Sequence, residues 1–196
     1  QNYMYFKIFD KVKRHELAYQ YYLSFPLPKK CTKKEDLHCL MEAYYHACMA
    51  KEYDKAAKII INYKLHENLE KCGNYRTLID LYEGILPKDH LNDNPILSNI
   101  QTHGHILGNI GIAYSAICEE RKAIKYYEKA LKISEKLGDR QSEGVSLGNL
   151  GSAYQVLGEA RKAILYYEEA LKIARVIGDR RNEGTKFGNI GNAYSD

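Results

Sequence analysis

Asparagine recurs at intervals of 40 residues in the second half of the chain, at Asn109, Asn149 and Asn189. Each of them follows a glycine and precedes a leucine or isoleucine. A carboxamide both donates and accepts hydrogen bonds, so a row of carboxamides can bind the backbone of an extended peptide. Asparagines at helical positions can equally tie adjacent helices together. The spacing therefore predicts either a peptide-binding ladder or a set of structural hydrogen bonds.

Further polar residues are predicted on the same inner wall of the same helices: His105, Ser152, Gln155 and Asn192. They vary between copies, as specificity contacts do and as solvated side chains also do. The glycines before the asparagines, Gly108, Gly148 and Gly188, each cost a helix about 1 kcal/mol relative to alanine. We expect that cost to be offset by close helix packing, or by room for a ligand.

Catalytic and metal-binding chemistry finds little support in the residue pattern. His38 adjoins Cys39, and His46 is two residues before Cys48, but no carboxylate completes a ligand set. No Ser-His-Asp or cysteine-nucleophile arrangement can be identified, and the phosphate-binding motif G-x-x-x-x-G-K-[ST] is missing from the sequence. We therefore expect no catalytic residue, no metal site and no cofactor in this chain.

Composition narrows the class of protein. The 196 residues include 29 basic and 25 acidic side chains, a net charge of +4 that is interleaved along the chain and offers little to nucleic acid. No apolar run approaches the roughly 18 residues of a membrane span. Five scattered cysteines predict small core residues in a reducing, cytoplasmic setting. The start at Gln1 suggests a piece of a longer soluble protein.

A 40-residue repeat places the asparagines on helices. Residues 101–140 and 141–180 are two full copies, and a third begins at Arg181 and stops at Asp196. Apolar residues recur at helical spacing in two blocks per copy, which predicts two amphipathic helices. Gly158 separates the helices of one copy. Gly138 and Gly178, each followed by an aspartate, end one copy and cap the next.

Small residues predict where the two helices of a copy approach. Gly151 and Ala163 allow close contact, and the larger Tyr154 and Tyr167 fill the space on either side. One such pair cannot bury its apolar face alone, so copies must stack. The sequence predicts an all-α, right-handed superhelical solenoid of antiparallel helix pairs.

The second half resembles the tetratricopeptide repeat. The residues that carry the resemblance are Leu150, Gly151, Tyr154, Gly158, Ala163, Tyr167 and Ala170. The copies are 40 residues long instead of the usual 34, with Arg175 in place of the terminal proline, and so are similar to the repeats of kinesin light chain. The resemblance implies peptide binding on the concave face, with the asparagines contacting peptide main chain.

Residues 1–93 predict a less regular helical region, and residues 94–196 the regular array of two repeats and the first helix of a third. Thr32 and Glu35 form a capping box, an upstream helix over residues 4–24 ends near Pro26 and Pro28, and residues 88–94 are a linker. Asn94 and Pro95 are expected to start the first regular helix. This half resembles the helical region of microbial STAND-type ATPases with tetratricopeptide sensor domains.

These features together predict a non-catalytic scaffold that binds a protein or peptide on its concave face, as the sensor arm of a signalling ATPase. A helical accessory domain of a multidomain enzyme is the alternative, and nucleic-acid binding is less favoured. We expect no membrane or nucleic-acid partner. Self-association is expected through Phe187, Ile190 and Tyr194, which the third copy presents without a second helix.

Overall fold

A computed structural model describes residues 11–26, 33–87 and 96–195 of the chain. These residues form ten α-helices and one short 3₁₀ helix, and no β-strand occurs among them. The chain divides into two compact units, residues 1–98 and 99–196. The predicted all-α class is confirmed.

The first unit is a series of short helices. They are α1 (Lys11–Leu23), a 3₁₀ turn (Lys34–Leu37), α2 (His38–Met49), α3 (Tyr53–Asn62), α4 (Leu65–Lys71) and α5 (Tyr75–Glu83). Each α-helix contacts the next in sequence. Residues of the four helices α2 to α5 form the core, which includes fully buried Ile60, Leu69 and Tyr82. Helix α1 packs against α2 but has no buried residue of its own.

The described ends of the first helices can be compared with those predicted. The backbone N–H of Lys33 donates to Oδ2 of Asp36 at 3.2 Å, at the start of the 3₁₀ turn. Helix α1 ends at Leu23, before Pro26, as predicted. Thr32, Pro28, Cys31, residues 4–10 and the predicted linker over 88–94 lie outside the described residues.

The first regular helix begins at Ile100, not at Asn94 and Pro95. Residues 96–99 are not helical because Leu97 is buried and the N–H of Ser98 donates to Oδ1 of Asp54 at 3.1 Å. The side chain of Asn99 then accepts from the N–H of Thr102 at 3.0 Å and caps the helix. Tertiary contacts therefore delay the helix despite the proline upstream.

The second unit consists of five long helices: α6 (Ile100–Ala116), α7 (Glu120–Leu137), α8 (Arg140–Val156), α9 (Ala160–Val176) and α10 (Arg180–Ser195). Each packs against the next, and the first helices of successive copies also contact one another, α6 with α8 and α8 with α10. This stacking is the predicted solenoid of helix pairs.

Glycine and aspartate make the turns between copies, as predicted. Gly138 and Gly178 adopt left-handed backbone conformations with φ of 66° and 72°. Asp139 then accepts a hydrogen bond from the N–H of Ser142, and Asp179 from the N–H of Asn182, each at 3.0 Å. Gly158, at φ 74°, makes the turn inside the second copy.

The close approach of the paired helices is confirmed, but its partner is an aromatic ring. A Cβ on Gly151 would lie 2.6 Å from the ring of Tyr167, which is only 1% exposed. Ala163, four residues before Tyr167 on the same helix, is fully buried. Tyr154 instead stacks on Tyr166, with ring centroids 5.4 Å apart.

The expectation that the cysteines are core residues is wrong for Cys118, which is exposed. Cys118 occupies the position of Gly158 in the next copy and has a left-handed φ of 60°. It is therefore a turn residue. Cys39, Cys48 and Cys72 are partly buried.

Candidate functional site

A groove separates the first helices of the two full copies. Helices α6 and α8 form its walls, and the end of α7 forms its floor, around a volume of about 480 Å³. The floor and walls are largely apolar, with Ile133 and Leu137 below and Ile112 and Val145 at the sides. This volume falls within the about 300–1,000 Å³ typical of ligand sites.

Three of the predicted site residues meet in this groove: His105 and Asn109 on α6 and Asn149 on α8. Both asparagines are partly buried. Asn189, the third member of the predicted ladder, is partly buried on α10 and does not line the groove. The structure thus brings two asparagine carboxamides to one cavity.

Two other predicted residues contact an aromatic side chain of their own copy. The hydroxyl of Tyr167 lies 3.1 Å from both Oγ of Ser152 and Oε1 of Gln155. Ser152 also donates to the carbonyl oxygen of Gly148 at 3.1 Å. These contacts give Ser152 and Gln155 a role in packing α9 against α8. Asn192 is exposed on α10.

Polar side chains close one end of the groove around Asp139. Its carboxylate accepts from the N–H and the hydroxyl of Ser142 and, at 3.1 Å, from Nε2 of Gln101. The hydrogen bonds from Ser142 hold the pKa of Asp139 below its ordinary value. Asp139 is the only carboxylate of the groove lining, and the described lining contains no lysine or arginine.

Serine, histidine and aspartate meet at this end without the geometry of a catalytic triad. Ser142 donates its hydroxyl proton directly to Asp139 at 2.8 Å, so Nε2 of His105 donates to Oγ of Ser142 at 3.2 Å. In a triad the histidine lies between the other two groups and accepts the serine proton. The arrangement caps α8 and fixes the groove wall.

The glycines before the asparagines face open space or a flexible side chain. No atom lies within 4 Å of the position of a Cβ at Gly108 or at Gly188, whereas a Cβ at Gly148 would collide with Nζ of Lys186. A side chain of the neighbouring helix therefore packs against Gly148, whereas Gly108 and Gly188 show no such packing. Gly108 lines the groove and widens it, because it has no side chain.

Sequence reasoning missed several residues that shape the groove, notably Asp139, Ser142 and Ser146. Ser146 is buried on α8 and occupies the position that Ile106 has in the first copy and Lys186 in the third. This position is buried in the first two copies and carries a different residue in each of the three, a signal that a comparison of the copies could have found.

The histidines singled out in the first unit form an aromatic cluster. Nδ1 of His46 lies 2.8 Å from Nδ1 of His15, and Tyr22 stacks on His46. Within the described part of the chain, no three histidine, cysteine or acidic side chains are grouped so that they could hold a metal ion. Nor is any described helix both long and apolar enough to span a membrane.

Comparison with known proteins relates the repeat region to a known family. Residues 103–194, which include all of the groove lining except Gln101, match the family model described as tetratricopeptide repeat. The match covers 92 of the 196 residues and relates this region to that family. No curated protein matches the chain in sequence.

A solved structure shares the fold. The chain is similar to BtubC (BKLC) from P. vanneervenii, with a TM-score of 0.56 and 14% sequence identity over 94% of this chain and 82% of that one. Identity at this level relates the folds alone. The groove thus lies between the first helices of two copies in the region that matches the family model.

Proposed function

We propose that the chain is a non-catalytic scaffold that binds a protein or peptide segment in the groove between α6 and α8. The observation that carries the proposal is the convergence of Asn109 and Asn149 on one largely apolar cavity. Their carboxamides supply donors and acceptors for a peptide backbone, and the apolar floor supplies burial for side chains. Tetratricopeptide repeats generally bind proteins or peptides, which supports this reading.

A peptide array tests the proposal. The chain is applied to an array of unrelated peptides, and the sequences that bind are compared with those bound by Asn149→Ala and Asn109→Ala. We expect either substitution to weaken binding about tenfold, because each removes hydrogen bonds to the peptide backbone. Lys172→Ala, on the exposed face of α9, is the matched control. Unchanged binding by both asparagine variants would refute the peptide-binding role of the groove.

We further propose that this scaffold is the sensor arm of a larger, cytoplasmic STAND-type ATPase. The support is the resemblance of the first half, in particular the passage from His15 to Pro87, to the helical region of such proteins. The coding sequence upstream of Gln1 provides the test. A phosphate-binding G-x-x-x-x-G-K-[ST] motif is expected there, and an enzyme domain of another type would favour the accessory-domain alternative.

Self-association through α10 is the last part of the proposal. Phe187 and Tyr194 are exposed on this helix, and the guanidinium of Arg175 lies 5.1 Å from the Phe187 ring centroid. Light scattering over a range of concentrations should show dimers that Phe187→Ser together with Tyr194→Ser abolishes. A strictly monomeric chain at high concentration would contradict this.

A further inference from the structure

A second groove lies one repeat further along, between α8 and α10, and it is nearly closed. Each of its ten lining residues occurs 40 positions after a lining residue of the first groove. Its volume is only about 10 Å³, against about 480 Å³ in the first. Equivalent backbones therefore give an open cavity in one place and a filled one in the other.

Five of the ten positions differ between the grooves, and only one adds a long side chain. Ser146 in the first groove is replaced by Lys186 in the second. The other changes, from first groove to second, are His105 to Val145, Ser134 to Ala174, Leu137 to Ile177 and Ser142 to Asn182. Three of those four changes leave the free volume nearly unchanged or enlarge it. The fourth, from Ser142 to Asn182, adds only a small side-chain volume.

The glycines on the groove wall show independently where the lysine lies. Nζ of Lys186 occupies the space where a Cβ on Gly148 would be, whereas the equivalent space at Gly108 is open. Burial of this ammonium lowers the pKa of Lys186. The lysine side chain lies along the wall of the second groove. The equivalent space in the first groove, where Ser146 replaces the lysine, stays open.

The chemistry of the open groove selects its occupant. Val145 is 48% exposed, Leu137 44% and Ile112 37%, so a ligand in this cavity would bury three apolar side chains. An anionic group would find no cation in the described lining, and Asp139 already accepts three hydrogen bonds. The groove therefore favours a neutral, apolar group flanked by amides that Asn109 and Asn149 can bind.

We infer that the first groove is a pocket for an uncharged, apolar side chain of a bound peptide, opened by Ser146, and that Lys186 closes its counterpart. This inference rests on the proposed function, because it names the side chain that the scaffold selects. Ser146 and Lys186 are the residues that limit recognition to one groove.

Capped amino acids provide probes for the pocket. N-acetyl-leucinamide, N-acetyl-glycinamide, N-acetyl-aspartamide with a free side-chain carboxylate and N-acetyl-lysinamide are titrated into the ¹⁵N-labelled chain, followed by NMR. The leucine probe should shift the side-chain signals of Asn109 and Asn149 and the backbone signals of Gly108 and Val145. Burial of the aliphatic group predicts binding about tenfold tighter than that of the glycine probe.

Three variants separate the pocket from general surface binding. Ser146→Lys and Ser146→Ile should each weaken the leucine probe about tenfold, and the fold provides precedent for both residues at this position, in Lys186 and Ile106. Lys186→Ser should preserve binding in the first groove and add a second set of shifts at Gly148 and Asn182. Spectra of each variant without probe establish that it is folded.

Several outcomes would overturn the inference: equal binding of the leucine and glycine probes, tighter binding of either charged probe, or wild-type affinity in both folded Ser146 variants. Array peptides that bind but ignore Ser146→Lys would refute the pocket while leaving the scaffold function intact. If the leucine probe binds in the groove but no array peptide binds the chain, the scaffold function would be refuted and the pocket left intact.

Discussion

Two glycines three residues apart on α6 make opposite predictions for substitution by alanine. At Gly108 nothing lies within 4 Å of the added Cβ, whereas at Gly111 the Cβ would lie 2.6 Å from Cδ1 and 3.0 Å from Cζ of Tyr127. Tyr127 is only 4% exposed, so its ring cannot simply move into solvent. The same substitution therefore meets open space in one place and a buried ring in the other.

The magnitudes follow from two effects. Alanine in place of glycine stabilises a helix by about 1 kcal/mol, and overpacking a core costs about 1–3 kcal/mol. Gly108→Ala should therefore raise the free energy of unfolding by about 1 kcal/mol. Gly111→Ala should lower it by up to about 2 kcal/mol. Helix propensity cancels in the comparison, so the difference of about 1–3 kcal/mol measures the collision alone.

Urea denaturation followed by circular dichroism gives the two stabilities, and hydrogen exchange of α7 amides restricts the measurement to the second unit. Adding Tyr127→Leu to Gly111→Ala removes the colliding ring, so the double variant should be more stable than the sum of the single changes predicts. The reasoning would be refuted if Gly111→Ala were as stable as Gly108→Ala, or if the two substitutions in the double variant were additive.

Three further predictions concern other parts of the chain. Cys118→Gly should stabilise the second unit by about 1 kcal/mol in urea denaturation, because glycine adopts the left-handed φ of 60° without strain; an unchanged midpoint would contradict this. Tyr167→Phe should cost about 1 kcal/mol in the same assay, since the hydroxyl loses its contacts with Ser152 and Gln155, and Tyr194→Phe, on the exposed surface, is the control. Burial and the neighbouring His46 lower the pKa of His15 in the folded chain, so the docking of α1 on α2 is retained above about pH 6.5 and weakens as the pH falls below it. Hydrogen exchange in α1, corrected for intrinsic rates, should rise below that pH in the wild type but not in His15→Gln, and a pH-independent wild type would refute the linkage.

The sequence predicted the parts of the fold that depend on local pattern. The 40-residue period, the left-handed glycines at 138, 158 and 178 and the aspartate caps all occur where expected, because each depends on a few neighbouring residues. The start of the first regular helix does not occur where expected, because Leu97 and Ser98 make tertiary contacts that no local signal encodes. Cys118 was misread as core even though its alignment with Gly158 marks a turn.

The candidate site shows the same division. Asn109, Asn149 and His105 were predicted and lie in one groove, because helical spacing fixes the face on which a side chain lies. Whether that groove is open could not be predicted, since it depends on how deeply one side chain lies between neighbouring helices. A lysine on an amphipathic helix is ordinarily read as solvated, yet Lys186 is partly buried against Gly148.

Repetition itself explains why one substitution can have so large an effect on the surface. Stacked copies hold equivalent backbones at equivalent positions, so the glycines and the buried apolar residues that the copies share set only the dimensions of each groove. The positions at which the copies differ then decide what each groove admits. At the position of Ser146 and Lys186, the one long side chain among five differences accompanies the change from a cavity of about 480 Å³ to one of about 10 Å³. On the function proposed above, a stack of nearly identical units would select a partner at one place along its length: the shared asparagines would bind peptide backbone, and the variable residue would determine which groove is open to it.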